Sequence, residues 1–323
     1  MDNPDSVRRV TPPNTTMAKT MAQARGFSGD VALKVMLENN VDPKEAERFL
    51  EEMKVLTKLN HPNIVRIFDC GREGGLTYFS MELLQGEDVR DMVRKNGPPP
   101  FMLTMRIALE IANALAYIHK MTVYHRDMKP TNIIFDKSQT PYRAVLIDFG
   151  LVTDKDNEGD KGLILGTPQY MPPDQASPRG GFGEVNATSD IYSLGHSFYM
   201  LLAGRPPFAG NSAVATMLCH INQEPPELAR IADGVTPDVV KVFHKMTGKT
   251  SDQRYQDTGQ LLDDLRMVLA GRGSRVEPFK AKEEAGVTTM VVRTSLAGAL
   301  VVLAVLSLVL GVAYLACFVV WPQ

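Results

Sequence analysis

Several things are scarce in this 323-residue sequence, and each shortage removes a class of protein. Three cysteines occur, Cys70, Cys219 and Cys317, scattered and odd in number. They make neither a disulfide framework nor a zinc site, and they fit a reducing compartment. No charge of one sign dominates: 35 Lys+Arg stand against 37 Asp+Glu, for a net charge of -2. That balance leaves no electrostatic footprint for nonspecific nucleic-acid binding, so nucleic acid is not an expected partner. The first residues, MDNPDSVRRVTPPNTT, contain no apolar stretch and are no signal peptide. There is no internal repeat. What is present, 44% hydrophobic and 22% charged residues, excludes a disordered chain. The length suffices for one large domain or two ordinary ones with a real core.

Long apolar runs are missing until the last part of the chain. From Leu296 to Trp321 the sequence reads LAGALVVLAVLSLVLGVAYLACFVVW, without a charged residue. Spanning a bilayer takes roughly 20 apolar residues, and this run exceeds that, so a transmembrane helix is predicted over 294–321. Arg272, Arg275, Lys280, Lys282 and Arg293 precede the run and no basic residue follows it. The positive-inside tendency then places the N-terminal bulk in the cytoplasm of a single-pass protein of the inner or plasma membrane. Residues 271–293, mixed in charge and small side chains, read as a juxtamembrane linker. Pro322 and Gln323 alone follow the run, so no extracellular sensor domain is expected.

Residues 1–270 read as a small strand-rich part followed by a larger helical one, an α+β organisation. Val31–Met36 is a strand candidate and Pro43–Leu59 a charged amphipathic helix. Ile64–Asp69 and Thr77–Met81 are further strands about a turn at Gly71–Gly75. After the breaker run Asn96-Gly97-Pro98-Pro99-Pro100, helices dominate. Ile107, Ile111, Leu115 and Ile118 share one helical face. Ile191–Ala203 is apolar nearly all round, as in a buried helix.

The centre of the chain carries the most specific pattern. His125-Arg126-Asp127-Met128-Lys129-Pro130-Thr131-Asn132 precedes an apolar strand pair and then Asp148-Phe149-Gly150, with Lys34 in VALK upstream. Taken singly, an Asp-Phe-Gly is a turn and a strand lysine a solvated edge. In this order and spacing they resemble the catalytic-loop, metal-binding and ATP-contacting motifs of protein kinases. Over roughly residues 5 to 270 the chain resembles the eukaryotic-like Ser/Thr protein kinases of bacteria, many of which carry one membrane span.

That resemblance implies a two-lobed protein-kinase fold, with an N-lobe of about 1–84 and a C-lobe of about 85–270. It also implies ATP with Mg2+, Mn2+ being a second candidate, and protein substrates; a homodimer is a candidate assembly. Phosphoryl transfer depends mostly on positioning and on neutralising phosphate charge. By the resemblance, Lys34 contacts the α/β-phosphates and is held by Glu52, with Glu51 ranked second. Asp148 and Asn132 hold the metal, Asp127 accepts the substrate hydroxyl proton, and Lys129 steadies the γ-phosphate. Met81 takes the gatekeeper position, with Glu82 and Leu84 in the adenine-facing hinge, where backbone groups make the adenine contacts. His125 is expected to pack rather than to catalyse. The segment GTPQYMPPD resembles the peptide-docking segment, in which Thr167 hydrogen-bonds Asp127 and Lys129. Asp190 is expected to anchor the catalytic loop. Lys129 after the base marks Ser/Thr rather than tyrosine kinases, and the docking segment disfavours a small-molecule phosphotransferase.

The sequence departs from the family at three places. Where the family has a glycine-rich turn, Pro13-Asn14-Thr15-Thr16-Met17-Ala18 has no glycine, so nucleotide binding is expected to be weaker. The alternative is a nucleotide-binding pseudokinase acting as a membrane-tethered scaffold. Pro172-Pro173-Asp174 stands where the family has Ala-Pro-Glu, and pairing of this shorter acid with Arg254 requires a backbone shift. Finally, Asp154, Asp156, Glu158 and Asp160 occupy the activation segment and are expected to neutralise Arg126, a task phosphate performs elsewhere.

Overall fold

The computed structural model describes residues 30–37, 50–51, 53–73, 76–149, 167–231 and 234–276. All belong to the first of two compact units, Met1–Phe279 and Lys280–Gln323. Residues 13–18, 43–49, Glu52, the acidic run at 154–160 and the predicted span at 294–321 lie outside the described residues.

Strands β1 (Val31–Leu37), β2 (Ile67–Glu73) and β3 (Leu76–Glu82) form an antiparallel sheet in the order β1-β3-β2. Lys34 lies opposite Phe79 in this register. Two local expectations are corrected here. The turn expected from Gly71 begins later, because β2 continues through Gly71 and Arg72 to Glu73. A Cβ on Gly71 would come within 2.9 Å of the Tyr78 hydroxyl, so this glycine makes room for a ring rather than a turn. The strand expected from Ile64 starts at Ile67. Ile64 and Val65 pair instead with Leu146 of the second sheet, Val65 N donating to Leu146 O at 2.9 Å. The helix expected to reach Leu59 ends at 56, with turn residues at 57–58.

The second sheet is β4 (Gly86–Asp88), β5 (Ile133–Asp136) and β6 (Arg143–Leu146), antiparallel in that order. Around it stand the helices. α1 (Val89–Asn96) starts on Asp88, whose carboxylate accepts from Asp91 N, and stops at Gly97 with φ 76. α2 (Phe101–His119) follows the prolines, and Ile107, Ile111, Leu115 and Ile118 are all at most 1% exposed, on the predicted face. Among the described residues, α2 alone is long and apolar enough to cross a membrane. It packs instead against the later helices and β6 as the central rod of the helical part. The short α3 (Pro173–Ala176) precedes α4 (Ala187–Ala203), which opens on an Asn186–Ser189 capping box and is buried nearly all round. α5 (Ala213–Asn222), α6 (Pro237–Met246) and α7 (Thr258–Leu269) begin on Ser212, Thr236 and Asp257, each capping a backbone N–H. One continuous core runs from Leu56 and Phe79 through α2 and α4 to Leu265.

Candidate active site

The loop between α2 and β5 is held from below by one carboxylate. Asp190, near the start of α4, is 2% exposed. It accepts the backbone N–H groups of His125 and Arg126, each at 2.8 Å, and the His119 Nε2–H at 2.8 Å. Burial alone would push this carboxyl up. The hydrogen bond and charge of His119, with the His125 amide, outweigh it, and the group stays below its ordinary value. The grip matters because Arg126 has φ 62, a conformation that costs energy outside glycine and persists only where neighbours enforce it. His125 is fully buried and does the packing expected of it. Its Nε2 faces the Ile147 carbonyl at 3.0 Å, so that nitrogen donates, and its ring lies 5.0 Å from that of Phe149.

Above the loop the charged groups converge. Lys129 Nζ is 2.6 Å from Asp127 Oδ2. Asn132 is buried, and its Nδ2 donates to the Asp127 carbonyl at 2.8 Å, to Asp127 Oδ2 at 3.2 Å and to the Asp148 carbonyl at 3.4 Å. Its amide nitrogen is thus committed to the loop, and no hydrogen bond among the described residues uses its Oδ1. Asp148 has φ 48, and its carboxylate meets Lys34 Nζ at 2.7 Å, 114 residues away in sequence. Five predicted residues, Lys34, Asp127, Lys129, Asn132 and Asp148, are therefore joined in one network of ion pairs and hydrogen bonds. Among the described residues the partner of Lys34 is Asp148; Glu52, the partner expected for it, lies outside the described residues.

The donor set suits a hard divalent cation. Asp148 offers a carboxylate, Asn132 its Oδ1, and the Lys34 ammonium already stands against Asp148 as a positive charge would. Among the described residues no group of three or more His, Cys, Asp or Glu could hold a metal by itself. An ion held by these two side chains would need further oxygen ligands from outside the protein, as hard divalent cations commonly take.

The predicted docking residues meet this network at Asp127. Thr167 lines a small cavity with Asp127, Met128, Tyr170, Met171 and Gln175. It makes no side-chain hydrogen bond among the described residues; Asp127 Oδ2 is already taken up by Lys129 and Asn132. Tyr170 is buried, which pushes its phenol up to about 12, and Ser193 of α4 donates to its carbonyl at 2.8 Å. Asp174 and Arg254 do pair, at 2.7 Å.

Met81, the last residue but one of β3, is partly buried against the core. Leu84 is half-buried, and the Glu82 side chain is turned to Arg143 in a short ion pair. Arg143, and with it Asp136 and Gln85, escaped the sequence reading. The only local signal was Asp136-Lys137-Ser138, a turn pattern in which Asp136 Oδ1 accepts from Ser138 N at 3.1 Å.

Comparison with known proteins agrees with this fold. Residues 19–264 match the family described as the protein kinase domain. Serine/threonine-protein kinase PknB of Mycobacterium leprae is 32% identical over 285 residues, covering 81% of this chain and 45% of that protein. Serine/threonine-protein kinase PrkC of Bacillus subtilis is 31% identical over 262 residues, covering 80% and 39%. A crystal structure of the Mycobacterium tuberculosis PknI kinase domain, a double mutant, superposes with a TM-score of 0.56 at 22% identity. It covers 75% of this chain and 86% of that one. The chain belongs to the protein kinase family, with a β-sheet lobe and a helical lobe. It spans less than half the length of the curated relatives named here.

Proposed function

We propose that the chain is a membrane-anchored Ser/Thr protein kinase, moving the γ-phosphate of ATP to hydroxyls of protein substrates. The observation that carries this reading is the joining of two ion pairs, Lys34–Asp148 and Lys129–Asp127, through the amide of Asn132. Asp148 and Asn132 would hold Mg2+, which would supply charge neutralisation to the phosphates. Asp127, fixed through Asp190 and Asn132, receives the proton of the attacking hydroxyl and orients it toward the phosphate. Lys129 shares that carboxylate and presents a cation to the transferred group. Lys34 moves from Asp148 to the nucleotide phosphates when they enter. Thr167 and Tyr170 line the place where the substrate backbone would lie.

The charge-free run of 26 residues from Leu296 to Trp321 supports anchoring, and the basic residues before it support a cytoplasmic kinase domain, where ATP is found. The missing loop glycines favour weak nucleotide affinity over its loss, because every charged group of the site is retained.

The test is transfer of labelled phosphate from Mg-ATP to a generic basic protein by the full chain in detergent, beside an Asp127→Asn variant. Label incorporated by the wild type and lost in the variant is expected. Absence of label up to millimolar ATP, with nucleotide still bound, would establish the scaffold instead.

A further inference from the structure

The segment Glu82–Gln85 leaves the central strand of the first sheet and enters the edge strand β4 of the second. Both its ends are tied to one place, the β5–β6 hairpin. At the first end, Arg143 Nη2 forms a short ion pair with Glu82 Oε1. At the other, Asp136 Oδ1 accepts the Gln85 N–H at 3.0 Å, and Lys137 N donates to the Gln85 carbonyl at 2.8 Å. The two anchors are themselves joined, since Arg143 Nε donates to Asp136 Oδ2 at 3.1 Å. Arg143 Nη1 also donates to the Pro62 carbonyl at 2.8 Å, so the turn before β2 hangs on the same guanidinium.

The burial of this network shows that it is built. Asp136 is fully buried, and the Arg143 side chain is 15% exposed. Burial would raise the Asp136 carboxyl, but bonds from Ser138, the Gln85 amide and Arg143 outweigh it, and the group is held below its ordinary value. The approach of strand to hairpin is close enough to require glycine: a Cβ on Gly86 would sit 2.0 Å from the Phe135 carbonyl oxygen. Between the anchors lie Leu83, 45% exposed, and Leu84. No hydrogen bond among the described residues uses the backbone N–H or C=O of either. The hairpin thus holds at both ends a short arch in which the Leu83 and Leu84 peptide groups have no partner among the described residues.

We infer that Arg143, through Glu82 and Asp136, is the positioning residue that sets the purine-reading geometry of the Glu82–Gln85 arch. This rests on the proposal that the site binds ATP, and it adds what makes the arch selective. Adenine offers a 6-amino donor beside a ring-nitrogen acceptor, whereas guanine offers an acceptor beside a donor. Backbone groups discriminate between them only if their directions are held, because a site that can swing accommodates both. A guanidinium suits the task, since its planar fork can reach two carboxylates and a carbonyl at once; an ammonium cannot.

The test is equilibrium binding of Mg-ATP and Mg-GTP to the full chain in detergent, for wild type, Arg143→Met, Arg143→Lys and Glu82→Gln. The wild type is expected to prefer ATP. Arg143→Met is expected to weaken ATP about tenfold, by analogy with the loss of one hydrogen-bonded purine contact, while GTP changes less than about twofold. Arg143→Lys and Glu82→Gln fall between. A loss of folded protein would lower both nucleotides together, so the ratio separates positioning from stability, and Glu82→Gln leaves the buried Asp136 pair intact if Arg143→Met fails to fold. Wild-type ATP preference retained in every folded variant would overturn the inference alone. A wild type that binds neither nucleotide would overturn the ATP reading and the inference with it.

Discussion

Asp174 and Arg254 meet at 2.7 Å with both side chains wholly excluded from solvent. The acid is one methylene shorter than the glutamate expected there, yet the pair forms. The guanidinium lies over the Tyr192 ring at 4.7 Å and donates to the carbonyls of Gly248 at 2.8 Å, Lys249 at 3.0 Å and Thr188 at 3.3 Å. Ser189 donates to the other Asp174 oxygen in a short bond. Asp174 Oδ1 has charge contact with Arg254 but no aligned hydrogen bond, the trace left by the shorter side chain.

Removing one partner leaves the other charge buried and unpaired. Arg254→Ala is therefore expected to cost about 3–5 kcal/mol of stability, read from urea unfolding at neutral pH. A cost below about 1 kcal/mol, the level of an exposed pair, would contradict this account of the site.

The Asp190 grip on the catalytic loop predicts a kinetic effect. In Asp190→Asn an amide N–H replaces one acceptor, and the backbone N–H of His125 or Arg126 loses its partner. The loop then relaxes from the φ 62 conformation of Arg126. Steady-state phosphotransfer should show kcat down by about 100-fold, the scale of a small misplacement of reacting groups, with a much smaller change in the KM for ATP. An unchanged kcat would mean that the loop holds itself.

Acid should destabilise the helical lobe through its buried histidines. His196 and His220 are fully buried with ring centroids 4.8 Å apart, and the Nε2 of His196 has no hydrogen-bond partner among the described residues. Burial drives His196 well below its ordinary value, with the neighbouring His220 adding to it. Burial and the Lys249 ammonium bring His220 to about 3. Both are neutral when folded, and both take up a proton once unfolded below about pH 6.5. The unfolded state binds more protons there, so stability is full above that pH and falls as pH drops, by about 1.4 kcal/mol per pH unit for each histidine. Unfolding midpoints between pH 7.5 and 5 should show this slope, and His196→Leu should flatten it. A midpoint independent of pH in that range would refute the assignment.

Much of the site was legible because kinase chemistry is written in short stretches. Asp127, Lys129 and Asn132 fall within one short stretch, and its resemblance to the kinase catalytic loop marked them as one set. The α2 face was legible from periodicity, and Asp190 from the family resemblance. The Gly71 turn was misread because a glycine that clears space for Tyr78 looks, in sequence, like one that turns the chain. Ile64 looked like a strand residue because its apolar character does not say which sheet it joins. Arg143 was invisible as a functional residue, since Glu82 lies 61 residues before it and an arginine at the start of a strand has no local signature.

By itself the sequence determined which charged groups are present, their order, and the helices and strands that carry them, since these follow from side-chain type and local periodicity. Only the tertiary structure decided their partners: Lys34 with Asp148, Asp190 with the loop amides, and the β5–β6 hairpin with the Glu82–Gln85 arch. The physical reason is that backbone preference acts over a few residues. A contact across 114 residues is set by how a sheet and a helical core pack together and by which buried polar groups must then be satisfied.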